Sequence, residues 1–135
     1  MGSDHAAAIT AYWDDIAPVY LAMFRDELDT KPGDVARLDA FARSLGAGAY
    51  VCDLGCGPCA HITWRLAQAG LKVTGIDISP VCIDLARGEH PSLDVRVMNA
   101  ADLDFADSSQ DGLVAWYLIR YFPRAAWPGL VAEFA

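Results

Sequence analysis

The chain has 135 residues, 54% of them hydrophobic and 21% charged, with a formal net charge of -8. That length suits one domain with a real core, and the composition is that of a globular chain, not a disordered one. The negative balance argues against a general electrostatic grip on nucleic acid or anionic lipid. No stretch approaches the ~18 uninterrupted apolar residues of a membrane span.

In chain order, residues 5 to about 28 place Ile9, Tyr12, Trp13, Ile16, Val19, Tyr20, Met23 and Phe24 three and four apart, which predicts helix. Pro18 predicts a break near Ala17, and so two short helices. Lys31-Pro32-Gly33 reads as a turn. Asp34 reads as the cap of a helix carrying Val35, Leu38, Phe41, Ala42 and Leu45, stopped by Gly46 and Gly48. Ala49–Leu54 reads as the first strand, and a helix is expected from about Cys59 to Ala69. Leu71–Ile76 reads as a second strand ending at Asp77. Ser79 caps and Pro80 opens the next helix, which ends at Gly88. Leu93–Met98 and Leu113–Tyr117 read as the third and fourth strands, and Pro123 onward as a last helix. Strands alternating with ~10-residue helices predict right-handed crossovers and a mostly parallel sheet between two helical layers. The expectation is therefore a single α/β domain over residues 1–135, with a helical cap at 1–33 and the core at 34–135.

In such a sheet, ligands bind beyond the carboxyl ends of the strands, where the strand order reverses. Here those ends are Asp53–Gly57, Asp77, Asn99–Leu103 and Trp116–Tyr121. Gly55 and Gly57 remove side chains where backbone must approach a ligand. Asp77 follows at the ~20-residue separation expected of an acid that accepts the two hydroxyls of a ribose. Together these residues predict a nucleoside site. Arg120 stands near the expected substrate side, as a partner for an anionic substrate or as a solvated loop charge.

Four segments carry a family resemblance. Val51-Cys52-Asp53-Leu54-Gly55-Cys56-Gly57 is similar to the first motif of class I S-adenosylmethionine-dependent methyltransferases, and Val73-Thr74-Gly75-Ile76-Asp77-Ile78-Ser79 to the segment after it. Asn99-Ala100-Ala101-Asp102-Leu103-Asp104-Phe105 resembles the adenine-side motif, and Gln110 through Tyr117 the fourth-strand motif. Tyr12 through Tyr20 resembles the N-terminal cap of small-molecule members. The resemblance implies a Rossmann-like core, S-adenosylmethionine as cofactor with S-adenosylhomocysteine as product, and a small-molecule acceptor. It implies that Asp53, Gly55, Cys56 and Gly57 surround the methionine portion, that Asp77 holds the ribose and that Ile78 packs on the adenine. Asn99 and Ala100 then read the adenine edge, Leu103 covers its other face, Trp116 sits beside the sulfonium, and Tyr12 and Tyr20 close over the methionine end. A sulfonium cation favours such aromatic faces. The resemblance names no catalytic base.

Two departures stand out. Cys59 occupies the place of the family's third glycine, where its side chain is expected to narrow the pocket or push the helix start outward. The family also continues past the fourth strand, so the chain reads as C-terminally truncated. That leaves strand order 3-2-1-4 with the apolar fourth strand as an edge, which predicts aggregation or pairing with another chain, a homo-oligomer included.

Other readings compete for the same loop. Cys52, Cys56 and Cys59 have the C-x3-C-x2-C spacing of the cluster-binding loop of radical S-adenosylmethionine enzymes, with His61 as a further ligand. Their places in a strand, between glycines and at a helix start would require three thiolates to converge from different structures, so no metal is expected and His61 reads as a first-turn helix residue. A nicotinamide-dependent oxidoreductase and an inactive cofactor-binding domain are the remaining alternatives. Four cysteines, three of them crowded, without a secretory pattern ahead of them, favour a reducing cytoplasm over a disulfide framework.

Overall fold

A computed structural model describes residues 2–116 and 118–135, with Ile119 described by its backbone alone. Four parallel strands form one sheet in the order β3-β2-β1-β4: β1 is Tyr50–Leu54, β2 Lys72–Asp77, β3 Asp94–Val97 and β4 Gly112–Val114. Asp53 stands beside Gly75 on one side and Val114 on the other. The order is the one expected, and β4 is an edge among the described residues. β3 and β4 are shorter than the strands expected at Leu93–Met98 and Leu113–Tyr117. The expected end of the fourth strand at Tyr117 lies outside the described residues.

Val51, Cys52, Asp53 and Leu54 are all buried, as befits a central parallel strand covered on both faces. On one face Val51, Val73 and Val114 pack against Leu38 and Ala42 of α2 (Pro32–Leu45) and Ile62 and Leu66 of α3 (His61–Gln68). On the other, Cys52, Leu54 and Ile76 meet Ala100, Phe122 and Leu130, the last from α5 (Trp127–Phe134). Ile83 and Ala86 of α4 (Pro80–Glu89) form a smaller cluster with Val95. The result is the three-layer α/β arrangement.

The cap departs from expectation. Residues Ser3–Phe24 form one helix, α1, that runs straight through Pro18. An interior proline costs roughly 3 kcal/mol of helix, and tertiary contacts offset it. Ala17 and Leu21 are buried, Arg25 makes a two-pronged bond to Glu89 at 2.8 and 3.0 Å, and Asp14 accepts the Ser79 hydroxyl at 2.5 Å.

A 3-10 turn, Glu27–Thr30, links α1 to α2. Lys31-Pro32-Gly33 is no free turn, because α2 begins at Pro32. Proline suits the first helical position, where its missing N–H has no partner to lose. Asp34 therefore falls inside the first turn and pairs with Arg37 at 3.2 Å instead of capping. Beyond β4, a 3-10 turn at Ile119–Tyr121 precedes the expected last helix, which is itself divided into a 3-10 turn at Arg124–Ala126 and α5. No helix among the described residues is long and apolar enough to cross a membrane.

Candidate functional site

The strand order reverses between β1 and β4, and a cavity opens there at the carboxyl ends of the strands. Its floor is the β1–α3 loop. The amides of Gly55 and Cys56 both donate to the Ile76 carbonyl at 2.8 Å, which folds the loop back over β2. Gly55 and Gly57 take φ values of +74° and +68°, in the left-handed region where a side chain is strained. A Cβ on Gly55 would meet Leu118 Cδ1 at 3.0 Å, whereas one on Gly57 would find no atom within 4 Å and project into open space.

Asp77 joins this loop to the end of β2. Its Oδ2 accepts the Gly57 amide and its Oδ1 the Ser79 amide, each at 3.0 Å. Burial pushes its carboxyl above the ordinary range, and these two backbone bonds oppose the shift. Asp53 is more enclosed, at 1% exposure, and accepts the Thr63 hydroxyl at 2.6 Å. Burial raises its pKa from 3.8 to about 6, against the lowering effect of Thr63. Beyond β3, Asn99 uses its carbonyl oxygen to accept the Ala101 amide at 2.9 Å, a turn that sets Ala100 against the cavity.

Of the residues singled out in the sequence, Tyr20, Asp53, Gly55, Cys56, Gly57, Asp77, Ile78, Asn99, Ala100 and Trp116 line this one cavity, as does Arg120. Tyr12 and Leu103 do not. Tyr12 is 55% exposed and touches Trp13 edge to face at 5.8 Å. Leu103 packs at the margin of the core near α5, and its amide donates to Glu133 at 2.8 Å. The cap places Ile9, Trp13 and Tyr20 in the cavity instead. Their spacing of four and seven puts them on one helical face that excludes Tyr12, and the supposed break at Pro18 hid that register.

Cys59 does not narrow the cavity. It is 2% exposed, is not part of the cavity wall, and lies just before Ala60, whose φ is +45°. The helix starts late, at His61. All four cysteines are free and buried. Among the described residues no three His, Cys, Asp or Glu side chains gather as a metal-binding group.

The pattern of residues did not point to Glu27, and it pointed to His61 only as a metal ligand or a first-turn helix residue. Both line the cavity, with His61 Nε2 2.9 Å from Glu27 Oε2, while Lys31 bonds the other Glu27 oxygen. Thirty-four positions separate the pair, so no local periodicity links them. Trp13 packs edge to face on Tyr20 at 5.1 Å and on Tyr121 at 5.8 Å, forming an aromatic wall. Tyr20 is pushed up to about 12 by burial, with Glu27 adding to the shift, and so keeps its proton.

Residues 51–135 match the model of the methyltransferase domain. The chain belongs to that family. Over 86 residues it is 37% identical to the demethylmenaquinone methyltransferase of Tropheryma whipplei, covering 60% of this chain and 35% of the relative. It is 29% identical over 126 residues to the biotin biosynthesis bifunctional protein of Cellvibrio japonicus, covering 93% of this chain and 22% of that protein. The chain thus spans between 22% and 35% of the length of the curated relatives it matches. Among solved structures, the magnesium protoporphyrin IX methyltransferase of Synechocystis with bound SAM superposes with a TM-score of 0.77. That match has 20% identity and covers 98% of this chain and 71% of the other, a likeness of fold. A SAM-dependent methyltransferase of Methanosarcina mazei is 33% identical, with a TM-score of 0.52, over 55% of this chain and 39% of its own. Membership in a methyltransferase family sets aside the metal-cluster and nicotinamide readings of the glycine loop.

Proposed function

We propose that this chain binds S-adenosylmethionine in the cavity above β1 and β2 and supports transfer of its methyl group to a small-molecule acceptor. The observation that carries the reading is the bond from the Gly57 amide to Asp77 Oδ2. It presents an open backbone loop and a carboxylate side by side, the pairing needed for the two ends of a nucleoside linked to an amino acid.

The residues present suit that cofactor. The open space beside Gly57 leaves room where a Cβ would intrude. Asp77 spends one lone pair of each oxygen on backbone and keeps the others for ribose hydroxyls. Ile78 supplies an apolar surface for the adenine, and Asn99 and Ala100 stand at its edge. Asp53, Gly55 and Cys56 lie under the amino-acid portion. Trp116, Tyr20 and Trp13 offer aromatic faces to a cation. Bound there, the cofactor would supply an electrophilic methyl group on a positively charged sulfur. The chain's own contribution is to hold donor and acceptor in line and to keep water out, which accounts for much of the rate of such a displacement.

In this reading the chain works as a single domain with its helical cap as one wall. A reducing cytoplasm suits its four free cysteines. Nucleic acid is no partner, given the net charge of -8. The apolar edge at β4 is the place where a second chain or further strand would pair.

Isothermal titration calorimetry with S-adenosylhomocysteine tests the proposal. Saturable binding by the unaltered chain is expected. Asp77→Ala and Gly57→Ala should each weaken it at least tenfold, about 1.4 kcal/mol. Absence of binding by the unaltered chain would overturn the reading.

A further inference from the structure

The cavity wall carries three carboxyl groups, on Glu27, Asp53 and Asp77, but among the described residues Arg120 is its single Arg or Lys. Arg120 is exposed, on the 3-10 turn Ile119–Tyr121 that follows β4. Its Nη2 donates to the Tyr121 hydroxyl at 3.0 Å, and its Cζ stands 5.1 Å from the centre of the Tyr121 ring. Tyr121 is placed in turn by the cap. Its ring packs on Trp13 at 5.8 Å, and its carbonyl accepts from His5 Nε2 at 2.9 Å. We propose that Arg120 binds the carboxylate of the methyl acceptor, with Tyr121 positioning the guanidinium and the Trp13 and Tyr121 rings seating the acceptor's flat apolar body. This rests on the methyl-transfer reading and names its acceptor class, an aromatic monocarboxylic acid.

The charge of the wall decides the class. An anion beside Glu27, Asp53 or Asp77 is repelled, whereas one over Tyr121 meets a guanidinium. One positive group matches one negative charge, so a monocarboxylate fits, and a phosphate dianion would leave a charge unmet among the carboxylates. The guanidinium presents its N–H donors in a rigid planar fork that suits the two oxygens of a carboxylate. The stack on Tyr121 and the bond to its hydroxyl order that fork before the acid arrives, which lowers the entropy lost on binding. The charge is also felt inside the cavity, where it opposes the rise of the Tyr20 pKa. Because Arg120 is exposed, an acid reaches it without displacing the wall. Exposure also limits what an ion pair contributes, so contact with the Trp13 and Tyr121 rings supplies the rest of the affinity.

The test is calorimetry on the full chain, with 2-naphthoate and its uncharged isostere 2-naphthamide as probes, each with and without saturating S-adenosylhomocysteine. The acid should bind saturably and roughly tenfold more tightly than the amide. Arg120→Met should remove that preference while amide binding changes by less than about twofold, which shows that the cavity is intact. Arg120→Lys should restore only part of it, because an ammonium lacks the fork. Tyr121→Phe keeps the ring and removes the hydroxyl, and should weaken the acid by about threefold. The cofactor's own carboxylate is the rival occupant. If Arg120→Met weakens S-adenosylhomocysteine about tenfold but spares 5′-methylthioadenosine, which has no amino-acid portion, the guanidinium belongs to the cofactor and the proposal is overturned. Equal binding of acid and amide, or acid binding unchanged in Arg120→Met, would overturn it as well. Acid binding that depends on Arg120 in a chain that does not bind S-adenosylhomocysteine would instead remove the methyl-transfer reading and leave the carboxylate site standing.

Discussion

Thr63 donates its hydroxyl to Asp53 across 2.6 Å, and the two side chains are 0% and 1% exposed. The bond ties the end of β1 to the first turns of α3, and so fixes the glycine loop between them. Replacing Thr63 with Val keeps the volume but leaves the buried carboxylate without its hydroxyl donor. Urea unfolding should show a loss of about 1–3 kcal/mol. An unchanged midpoint would mean that the loop is held by its backbone bonds to Ile76 alone.

The same carboxylate makes stability depend on pH. Its pKa rises from 3.8 to about 6 on folding, so the protonated form is the one the fold prefers. That contribution is present in full below about 4 and is lost as pH rises through about 6. Asp53→Asn does not titrate. Relative to the unaltered chain it should gain up to roughly 3 kcal/mol between pH 4 and 7. Denaturant unfolding across that range checks the sign, and a parallel pair of curves would contradict it.

Asp14 holds the cap. Its Oδ1 accepts from the Ser79 hydroxyl at 2.5 Å and the Val81 amide at 3.4 Å, joining α1 to the loop that carries Asp77. Asp14→Ala should lower stability by about 1–2 kcal/mol and speed amide exchange in α1 ahead of β1. Arg25→Ala removes the other clasp, to Glu89, at a site where the arginine is 52% exposed. It should change stability by no more than about 1 kcal/mol. Equal effects of the two would place the docking energy in packing at Ala17 and Leu21 instead.

The thiols should be silent in the folded chain. Burial raises Cys52, Cys59 and Cys82 to about 12, and Cys56 well above its ordinary value. A thiol-specific disulfide reagent should find none of the four reactive in native buffer and all four in guanidinium. A fast-reacting native thiol would show that the loop around Cys56 and Cys59 opens.

The sequence by itself determined the sheet and its binding edge. Val51–Leu54 and Val73–Ile76 are short runs that begin and end on aliphatic residues and are closed by glycine or aspartate, and such strands between short helices permit little besides a parallel sheet with ligands at their carboxyl ends. Gly57 and Asp77 were legible for the same reason, since backbone approach and a carboxylate each require a particular residue type. Tertiary structure alone decided the cap. Pro18 breaks an isolated helix, but burial of Ala17 and the Asp14 and Arg25 contacts carry α1 through it and turn Trp13, not Tyr12, toward the cavity. It alone also brought Glu27 to His61. The two meet because the cap folds back over the start of α3, a contact between distant segments that no local pattern of residues encodes.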